Sequence, residues 1–359
     1  MHTPALCGGR FCLPTGHVSP AAISRIARQP VSLTNVYQSI IILNMAIATN
    51  QQITNYYDSY CDKEVIFSRE ILHTLRVAPR EIYIKCGGNQ WPCIINSTSL
   101  LAAKIILGKT GGAFTAITQK NAPPVSLRFC FFIDKGTETM SFYIAGKVTN
   151  TAQYADSKDL AVVTLTYTQR PPDDFIVKIG ALIEANINFT KRGKERIVIT
   201  NETRHRLGIE KEDTIVYVQN VPRKCILRDL SFSGAKVVLF GVPKFVSGKK
   251  AVLRIVFDDP AETLDIRGSI ANADFAEGRQ DIVTASIKFD EEAVPAAYKL
   301  HINDYLTMTK KNLFDASFQT QNVAVQTVEQ AAATMKAHLT AAASRGTSVQ
   351  NISNAISGT

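Results

Sequence analysis

The sequence lacks the features that mark a membrane protein or a common enzyme. No apolar run is long enough to span a bilayer, and the nearest one, Ile40 to Ala48, is short and contains Asn44. The 7 cysteines include no CxxC pair and no Cys–His spacing of a zinc site. No GxSxG, HExxH or paired-carboxylate pattern appears either. We therefore expect a soluble binding protein that holds no metal or cofactor and catalyses no reaction.

Acidic residues are fewer than basic ones. The chain has 40 Lys and Arg against 31 Asp and Glu, giving a formal net charge of +9 and an isoelectric point near 9.1. Such a balance favours a polyanionic ligand or surface, which includes a nucleotide, a nucleic acid and an anionic lipid. The cysteines are most simply free thiols of a reducing compartment, so we expect a cytoplasmic protein.

Both ends of the chain have little hydrophobic periodicity. Residues 1–44 carry scattered Pro, Gly, Arg and Cys, and we interpret them as a non-native or disordered extension with Met45 as the biological start. Residues 315–359 are rich in Ala, Thr, Gln and Ser with few large apolar groups. That composition predicts a low-complexity tail, either helical or disordered.

Residues 45–180 alternate strand-like runs with turn residues, which predicts an N-terminal β domain. The strand-like runs are Glu64 to Ser68, Glu81 to Cys86, Cys93 to Asn96, Val125 to Ile133, Thr139 to Val148, Leu160 to Thr168 and Phe175 to Ile179. Ser99 to Leu107 fits either a helix or a buried strand, since periodicity does not separate the two.

Residues 181–191 show an alternating apolar face, which predicts a connecting strand with one buried side. A second β domain follows over residues 192–314, with strand-like runs such as Lys250 to Phe257 and Asp281 to Phe289. Acidic residues, Pro295 and apolar residues at helical spacing then predict a helix from about Pro295 to Asn312.

Two short motifs combine chemistry for phosphate and guanine. In Arg192-Gly-Lys-Glu-Arg196, two guanidinium groups four positions apart can bind phosphate oxygens or the O6/N7 edge of guanine. In Asp229-Leu-Ser-Phe-Ser-Gly234, the carboxylate can accept hydrogen bonds from guanine and Ser231 can add a hydroxyl. Gly234 lacks the Cβ that would hold the backbone away from a base. Taken alone, RxxxR is common on basic surfaces and DxSxxG is a plausible turn.

The order RxxxR, DxSxxG and then further strands and a helix resembles the PilZ family of cyclic di-GMP receptors, over roughly residues 190–314. Ala285 and Ser286 stand where that family often has Gly, a departure that concerns packing. The resemblance implies a two-domain receptor that is mostly β, with two six-stranded barrels joined by the connecting strand and followed by a C-terminal helix. It implies ligand contacts from Arg192, Arg196, Asp229, Ser231 and Gly234, with Lys191, Arg228 and Ser233 as secondary candidates.

The family resemblance also implies a function. Messenger binding would change the arrangement of the two domains and signal to an unidentified protein partner that controls motility, polysaccharide export or virulence. Two alternatives to this function remain. One is a basic β-barrel that binds nucleic acid, which would need exposed aromatics, although only Phe232 lies near the motifs. The other is a PilZ-type adaptor that no longer binds nucleotide.

An internal similarity supports the prediction that the N-terminal domain is also a PilZ-like barrel. At a fixed offset of 122 positions, Gly112 matches Gly234, Gly146 matches Gly268, and Tyr167 matches Phe289. The same alignment sets Leu107 and Lys109 against Asp229 and Ser231, so the first domain would lack the groups that accept hydrogen bonds from guanine. Arg76 and Arg80 form another RxxxR, but Pro79 and the missing carboxylate argue against a second site.

Overall fold

The computed structural model describes residues 49–133, 138–209, 214–258 and 260–309. The predictions for residues 1–44 and 315–359 therefore lie outside the described residues. Two antiparallel sheets, one from each half of the chain, make up most of the described structure, which confirms the mostly β prediction. Both sheets belong to one compact unit that begins at Gln52.

The first half forms an eight-stranded antiparallel sheet. Its elements are α1 (Asn50–Tyr60), β1 (Val65–Ile66), α2 (Arg69–Thr74), β2 (Tyr83–Cys86), β3 (Asn89–Pro92), β4 (Ile94–Thr98), β5 (Ala102–Gly108), α3 (Gly112–Thr118), β6 (Val125–Phe132), β7 (Thr139–Gln153) and β8 (Leu160–Tyr167). The strand order is β1-β4-β5-β8-β7-β6-β2-β3. The segment that fitted helix or strand is therefore the strand β5.

The second half forms a closed barrel. Its elements are α4 (Asp173–Lys191), β9 (Ile197–Val198), α5 (Asn201–Arg206), β10 (Thr214–Val218), β11 (Val221–Ser231), β12 (Gly234–Phe240), α6 (Pro243–Val246), β13 (Lys250–Asp258), β14 (Ala261–Phe275), β15 (Ile282–Phe289) and the helix α7 over 296–309. The order is β10-β13-β14-β15-β12-β11, and β10 also pairs with β11, which closes six strands into a ring. The predicted second barrel and C-terminal helix are confirmed.

The predicted connecting strand over 181–191 is wrong, as is the predicted strand from Phe175 to Ile179. Both segments belong to the single helix α4. Its buried residues recur at helical spacing, from Phe175 through Ile179 to Ile183, and two acidic residues occupy its first turn. The alternating apolar residues suggested a strand with one buried side. Leu182 does not belong to that alternating set, and it is buried as well, as a helix allows.

The two sheets repeat the same topology. Strands β4-β5-β8-β7-β6-β2 of the first sheet correspond in order to β11-β12-β15-β14-β13-β10 of the barrel. Each sheet also has a two-residue strand in the same place. Strand β1 pairs with β4 in the first sheet, and β9 pairs with β11 in the second. The common order supports the prediction that the two halves are related.

The first domain is nevertheless not a closed six-stranded barrel. The single continuous strand β11 of the second domain corresponds to two strands, β3 and β4, in the first. Pro92 ends β3, and proline has no N–H to continue a ladder of hydrogen bonds. Only Cys93 separates the two strands, and its N–H donates to the Ile82 carbonyl at 3.2 Å. Strands β3 and β4 therefore do not form one continuous strand, and the sheet does not close into a ring.

The register of the strands corrects the internal alignment. Gly146 pairs with Tyr167 as Gly268 pairs with Phe289, so the offset of 122 holds in the last two strands. Earlier in the domain it fails, because Gly112 begins the helix α3 whereas Gly234 begins a strand. The pairings of β1 and β9 instead match Ser97 with Asp229. Ser97 and Ser99, and not Leu107 and Lys109, therefore occupy the places of Asp229 and Ser231.

Helix α4 packs against both domains. Near its start, Phe175 lies against Phe129 of the first sheet, with ring centroids 4.8 Å apart. Gly180 allows α1 to lie close, since a Cβ at this position would stand 2.6 Å from the Tyr56 ring. Near its end, Phe189 contacts Phe232 of the second domain edge-on at 6.1 Å. The loop that follows α4 is thus held at the boundary of the two domains.

Candidate functional site

The arginine loop is fastened to the DxSxxG turn by backbone and side-chain hydrogen bonds. Arg192 ends helix α4, and its N–H donates to the Asn188 carbonyl at 2.7 Å. The next carbonyl, that of Gly193, accepts the Ser233 N–H at 3.2 Å and the Ser233 hydroxyl at 2.6 Å. The structure therefore brings together two motifs that lie tens of residues apart in the sequence.

The other end of the arginine loop is held by an ion pair and by the sheet. The Arg196 guanidinium contacts the Asp229 carboxylate directly. Immediately after it, strand β9 pairs with β11, setting Ile197 opposite Leu230 and Val198 opposite Asp229. The Asp229 side chain is only 15% exposed, while that of Arg196 is 50% exposed. Arg196 thus keeps part of its surface available to a ligand.

Arg192 is also paired with a carboxylate. Its Nε and Nη2 each donate to one oxygen of Glu195 at 2.6 Å, which is a bidentate arrangement. The Arg192 side chain is 15% exposed. In the described structure, both predicted phosphate-binding arginines are therefore neutralised by side chains of the protein itself.

Ser231 and Gly234 shape the turn from inside. Ser231 is buried, and its hydroxyl donates to the Gly234 carbonyl at 3.1 Å. A Cβ on Gly234 would stand 2.4 Å from the Ile287 carbonyl oxygen, so glycine is required for strands β12 and β15 to approach. That Gly234 makes room for a base stays a prediction from the sequence, and the structure adds a role within the sheet.

Tyr298 contacts the DxSxxG turn from a distant part of the chain, which the motifs did not reveal. From helix α7 its hydroxyl donates to the Ser231 carbonyl at 2.7 Å, and its ring packs on Phe289 at 5.7 Å. Burial raises the pKa of the Tyr298 phenol well above its ordinary value, so it remains a donor. The only sequence signal was its place in the apolar spacing of the predicted helix.

An open groove of about 680 Å³ adjoins the Arg196–Asp229 pair on the outside of the barrel. Its lining residues are Val198, Ile199, Ile226, Arg228, Asp229, Lys236, Val238, Ala276, Glu277, Ile282 and Thr284. Apolar side chains can contact the face of a base, while Arg228 and Lys236 carry positive charge. Lys236 lies directly across the ladder from Asp229. The alternation of side chains along β12 could have predicted that Lys236 faces the same side of the sheet as Asp229.

The secondary candidates take different positions. Arg228 is exposed in the groove, at a β-bulge between Leu227 and Asp229. Lys191 is exposed at the last position of α4. Ser233 is used in fastening the arginine loop, as described above. Arg76 and Arg80 follow α2 instead of preceding β1, so they do not stand where RxxxR stands in the second domain.

The corresponding place in the first domain has the opposite charge. Glu64 precedes β1 as Arg196 precedes β9, and Ser97 replaces Asp229. The Glu64 carboxylate accepts from the Ser97 hydroxyl and pairs with Lys104 at 2.8 Å. These hydrogen bonds from Lys104 and Ser97 lower the pKa of Glu64. A carboxylate at this position would repel a phosphate, so the first domain lacks the charge that the second provides.

Several sequence expectations concern thiols, metals and membranes. Cys61, Cys86, Cys93, Cys130 and Cys225 are free thiols, as predicted. Within the described ranges, no cluster of three or more His, Cys, Asp and Glu side chains could hold a metal ion. In the same part of the chain, no helix combines the length and the apolar character needed to cross a membrane.

Comparisons with known proteins find similarity over most of the chain. Residues 51–186 match the PilZN3 domain. The chain is 42% identical over 272 residues to a cyclic di-GMP binding protein of Treponema denticola, covering 76% of this chain and 86% of that protein. Among solved structures, the Borreliella burgdorferi PlzA protein in complex with c-di-GMP is 22% identical, with 71% of this chain and 98% of that chain covered and a TM-score of 0.33. YcgR of Escherichia coli in complex with c-di-GMP is 11% identical, with 78% and 99% covered and a TM-score of 0.22.

Proposed function

The chain belongs to the PilZ family, with a PilZN3 domain as its first half, and from this premise we propose that its second barrel is a receptor site for cyclic di-GMP. The relative that is 42% identical is named for binding this messenger. One observation carries the proposal. The arginine loop and the DxSxxG turn are fastened to each other at Gly193 and Ser233 and again at Arg196 and Asp229.

The messenger offers two phosphates and two guanines, and the site offers a partner for each kind of group. Arg192 and Arg196 bind phosphate oxygens or guanine edges, and Asp229 accepts hydrogen bonds from a guanine. The apolar lining of the groove contacts a base face, with Arg228 and Lys236 nearby. Ser231 and Gly234 hold the turn in shape, and Lys191 and Ser233 border the loop.

We propose that binding also changes the arrangement of the two domains. Arg192 ends α4, and Ser231 is held by Tyr298 of α7. The two helices are joined by hydrogen bonds from Asn188 to Asn303 at 2.7 Å and from Asn303 to Glu184 at 3.0 Å. A ligand that pulls on the arginine loop would therefore strain contacts between the domains. The new arrangement would be recognised by a protein partner in the cytoplasm, in control of motility, polysaccharide export or virulence.

Binding without catalysis is the activity that the site supports. An alternative role in binding nucleic acid loses its main support, since Phe232 is fully buried and cannot stack on a base. An adaptor that has lost its messenger is disfavoured by the presence of both arginines and Asp229 in one place.

Isothermal titration calorimetry of the full chain with cyclic di-GMP tests the proposal. We expect one ligand-binding barrel per chain, and weakening by about 10- to 100-fold in Arg192→Ala and in Asp229→Ala, because charge-assisted hydrogen bonds contribute about 1.5–3 kcal/mol each. Arg254→Ala is a matched control, since Arg254 forms a bidentate pair with Asp265 on β13 and β14. Absence of binding by the unmodified chain, or equal affinity of all four proteins, would refute the proposed site.

A further inference from the structure

We propose that Glu195 is a competitor for the ligand, built into the arginine motif itself. This inference rests on the proposed function, because it assigns Arg192 to the messenger. Glu195 holds both the Nε and the Nη2 of Arg192 at 2.6 Å. A side-on bidentate contact to a phosphate or to the guanine edge would use the same two nitrogens.

The position of Glu195 makes the competition local. It lies three residues after Arg192, in the same short loop, and its amide N–H donates to the Arg192 carbonyl at 2.9 Å. The loop is fastened to the DxSxxG turn through Gly193 and Ser233. A ligand that contacts Arg192 through Nε and Nη2 therefore displaces at least one of the two bonds to the Glu195 carboxylate.

The two arginines of the motif differ in what this exchange requires. Arg196 is half exposed and pairs with Asp229, a group that the ligand itself is proposed to engage. Arg192 is mostly covered and pairs with Glu195, which is not among the groups proposed to engage the ligand. A phosphate bound at Arg192 would lie near the Glu195 carboxylate, which carries a charge of the same sign. Removing that charge should strengthen binding.

The test is a double-mutant cycle measured by calorimetry on the full chain with cyclic di-GMP. We expect Glu195→Gln to tighten binding by about two- to fivefold, the range set by the energy of one partly exposed ion pair. In an Arg192→Ala background, titrated at protein concentrations high enough to follow the weakened binding, Glu195→Gln should give no such gain. Asp265→Asn removes one negative charge from a similar Arg–carboxylate pair on β13 and β14 and should leave affinity unchanged.

The outcomes separate this inference from the proposed function. Equal or weaker binding by Glu195→Gln, with Arg192→Ala still impaired, would overturn the competitor role and leave the binding site intact. A gain of the same size in both backgrounds, or in Asp265→Asn, would show a general charge effect and would also overturn it. Absence of binding by the unmodified chain would instead refute the proposed function.

Discussion

The two domains share one strand order and differ in the charges at one loop. In the second barrel, Arg196 and Asp229 stand before β9 and on β11. In the first sheet, Glu64 and Ser97 take the same places, and Lys104 pairs with Glu64. The fold therefore supplies a loop and a turn held side by side, and a few side chains decide whether that place attracts or repels an anion.

The largest effect is expected when the second domain is given the residue of the first. Arg196→Glu should weaken cyclic di-GMP binding by at least about 100-fold, since it removes a charge-assisted contact and sets a carboxylate opposite a phosphate. The reverse change, Glu64→Arg, should leave affinity unchanged, because the first domain is not proposed to bind. Calorimetry measures both, and circular dichroism checks that each variant is folded. Wild-type affinity in Arg196→Glu would contradict the comparison.

A hydroxyl also distinguishes the domains. Tyr298 donates to Ser231, whereas Phe175, the aromatic that packs from α4 onto the first sheet, has no hydroxyl. Tyr298→Phe should lower the free energy of unfolding by about 1 kcal/mol, since a buried carbonyl loses its donor. It should also weaken ligand binding, because the turn is less firmly held.

Tyr217→Phe is the matched control for that change. The Tyr217 hydroxyl accepts from Arg254 at 2.8 Å in a partly exposed place, so its loss should cost little. Urea unfolding of the two variants gives the difference. Equal stabilities would show that the Tyr298 hydroxyl has no special part in holding the DxSxxG turn.

A smaller effect is expected from the two corresponding lysines. Lys236 lies opposite Asp229 in the groove, and Lys104 lies opposite Ser97 in the first domain. Lys236→Ala should weaken messenger binding by up to about fivefold, with the difference shrinking at high salt. Lys104→Ala should change it hardly at all. A reversed order of the two variants would contradict the assignment of the groove to the second barrel.

The smallest difference is expected at a matched pair of thiols. Cys93, between β3 and β4, corresponds to Cys225 on β11, and burial raises the pKa of each to about 12. Because the thiolate is the reactive form, both should resist alkylation at pH 8 until the chain unfolds. Peptide mapping by mass spectrometry measures the labelling. Fast reaction at Cys93 alone would show that the interruption after Pro92 lets the first sheet open.

Raising the pH should also affect stability through these thiols. Their folded pKa lies above that of an exposed thiol, so the unfolded chain loses these protons first. Their contribution is complete below the unfolded pKa and is lost as the pH rises toward about 12. Cys93→Ala and Cys225→Ala should each reduce this alkaline loss of stability by a similar amount. Unequal reductions would show that the two places are not alike.

Sequence reasoning worked best where a local pattern determines the outcome. The strands of the second barrel and the helix after Pro295 follow from alternation and from helical spacing, and the structure has them. It failed at α4, whose alternating Ala181, Ile183 and Ala185 fit a strand as well as one side of a helix packed between domains. Packing on two partners at once is not visible in a single sequence.

For the site, the sequence predicted which motifs meet but not how they are held. Ser233, a secondary candidate, proved to fasten the arginine loop, and Tyr298 reaches Ser231 from another element. The ungapped alignment chose Leu107 in place of Ser97 because the domains differ in length between β5 and β8. Contacts of this kind depend on registers and loop lengths that only the folded chain fixes.

Hydrogen–deuterium exchange of the full chain with and without cyclic di-GMP shows which of the two domains binds the ligand. We predict slower exchange at 191–197 and 229–236, which carry the arginine loop and the DxSxxG turn. We predict no comparable change at 59–65 and 97–104, the matching segments of the first domain. Protection of the first-domain segments equal to or greater than that of the second-domain segments would contradict this prediction.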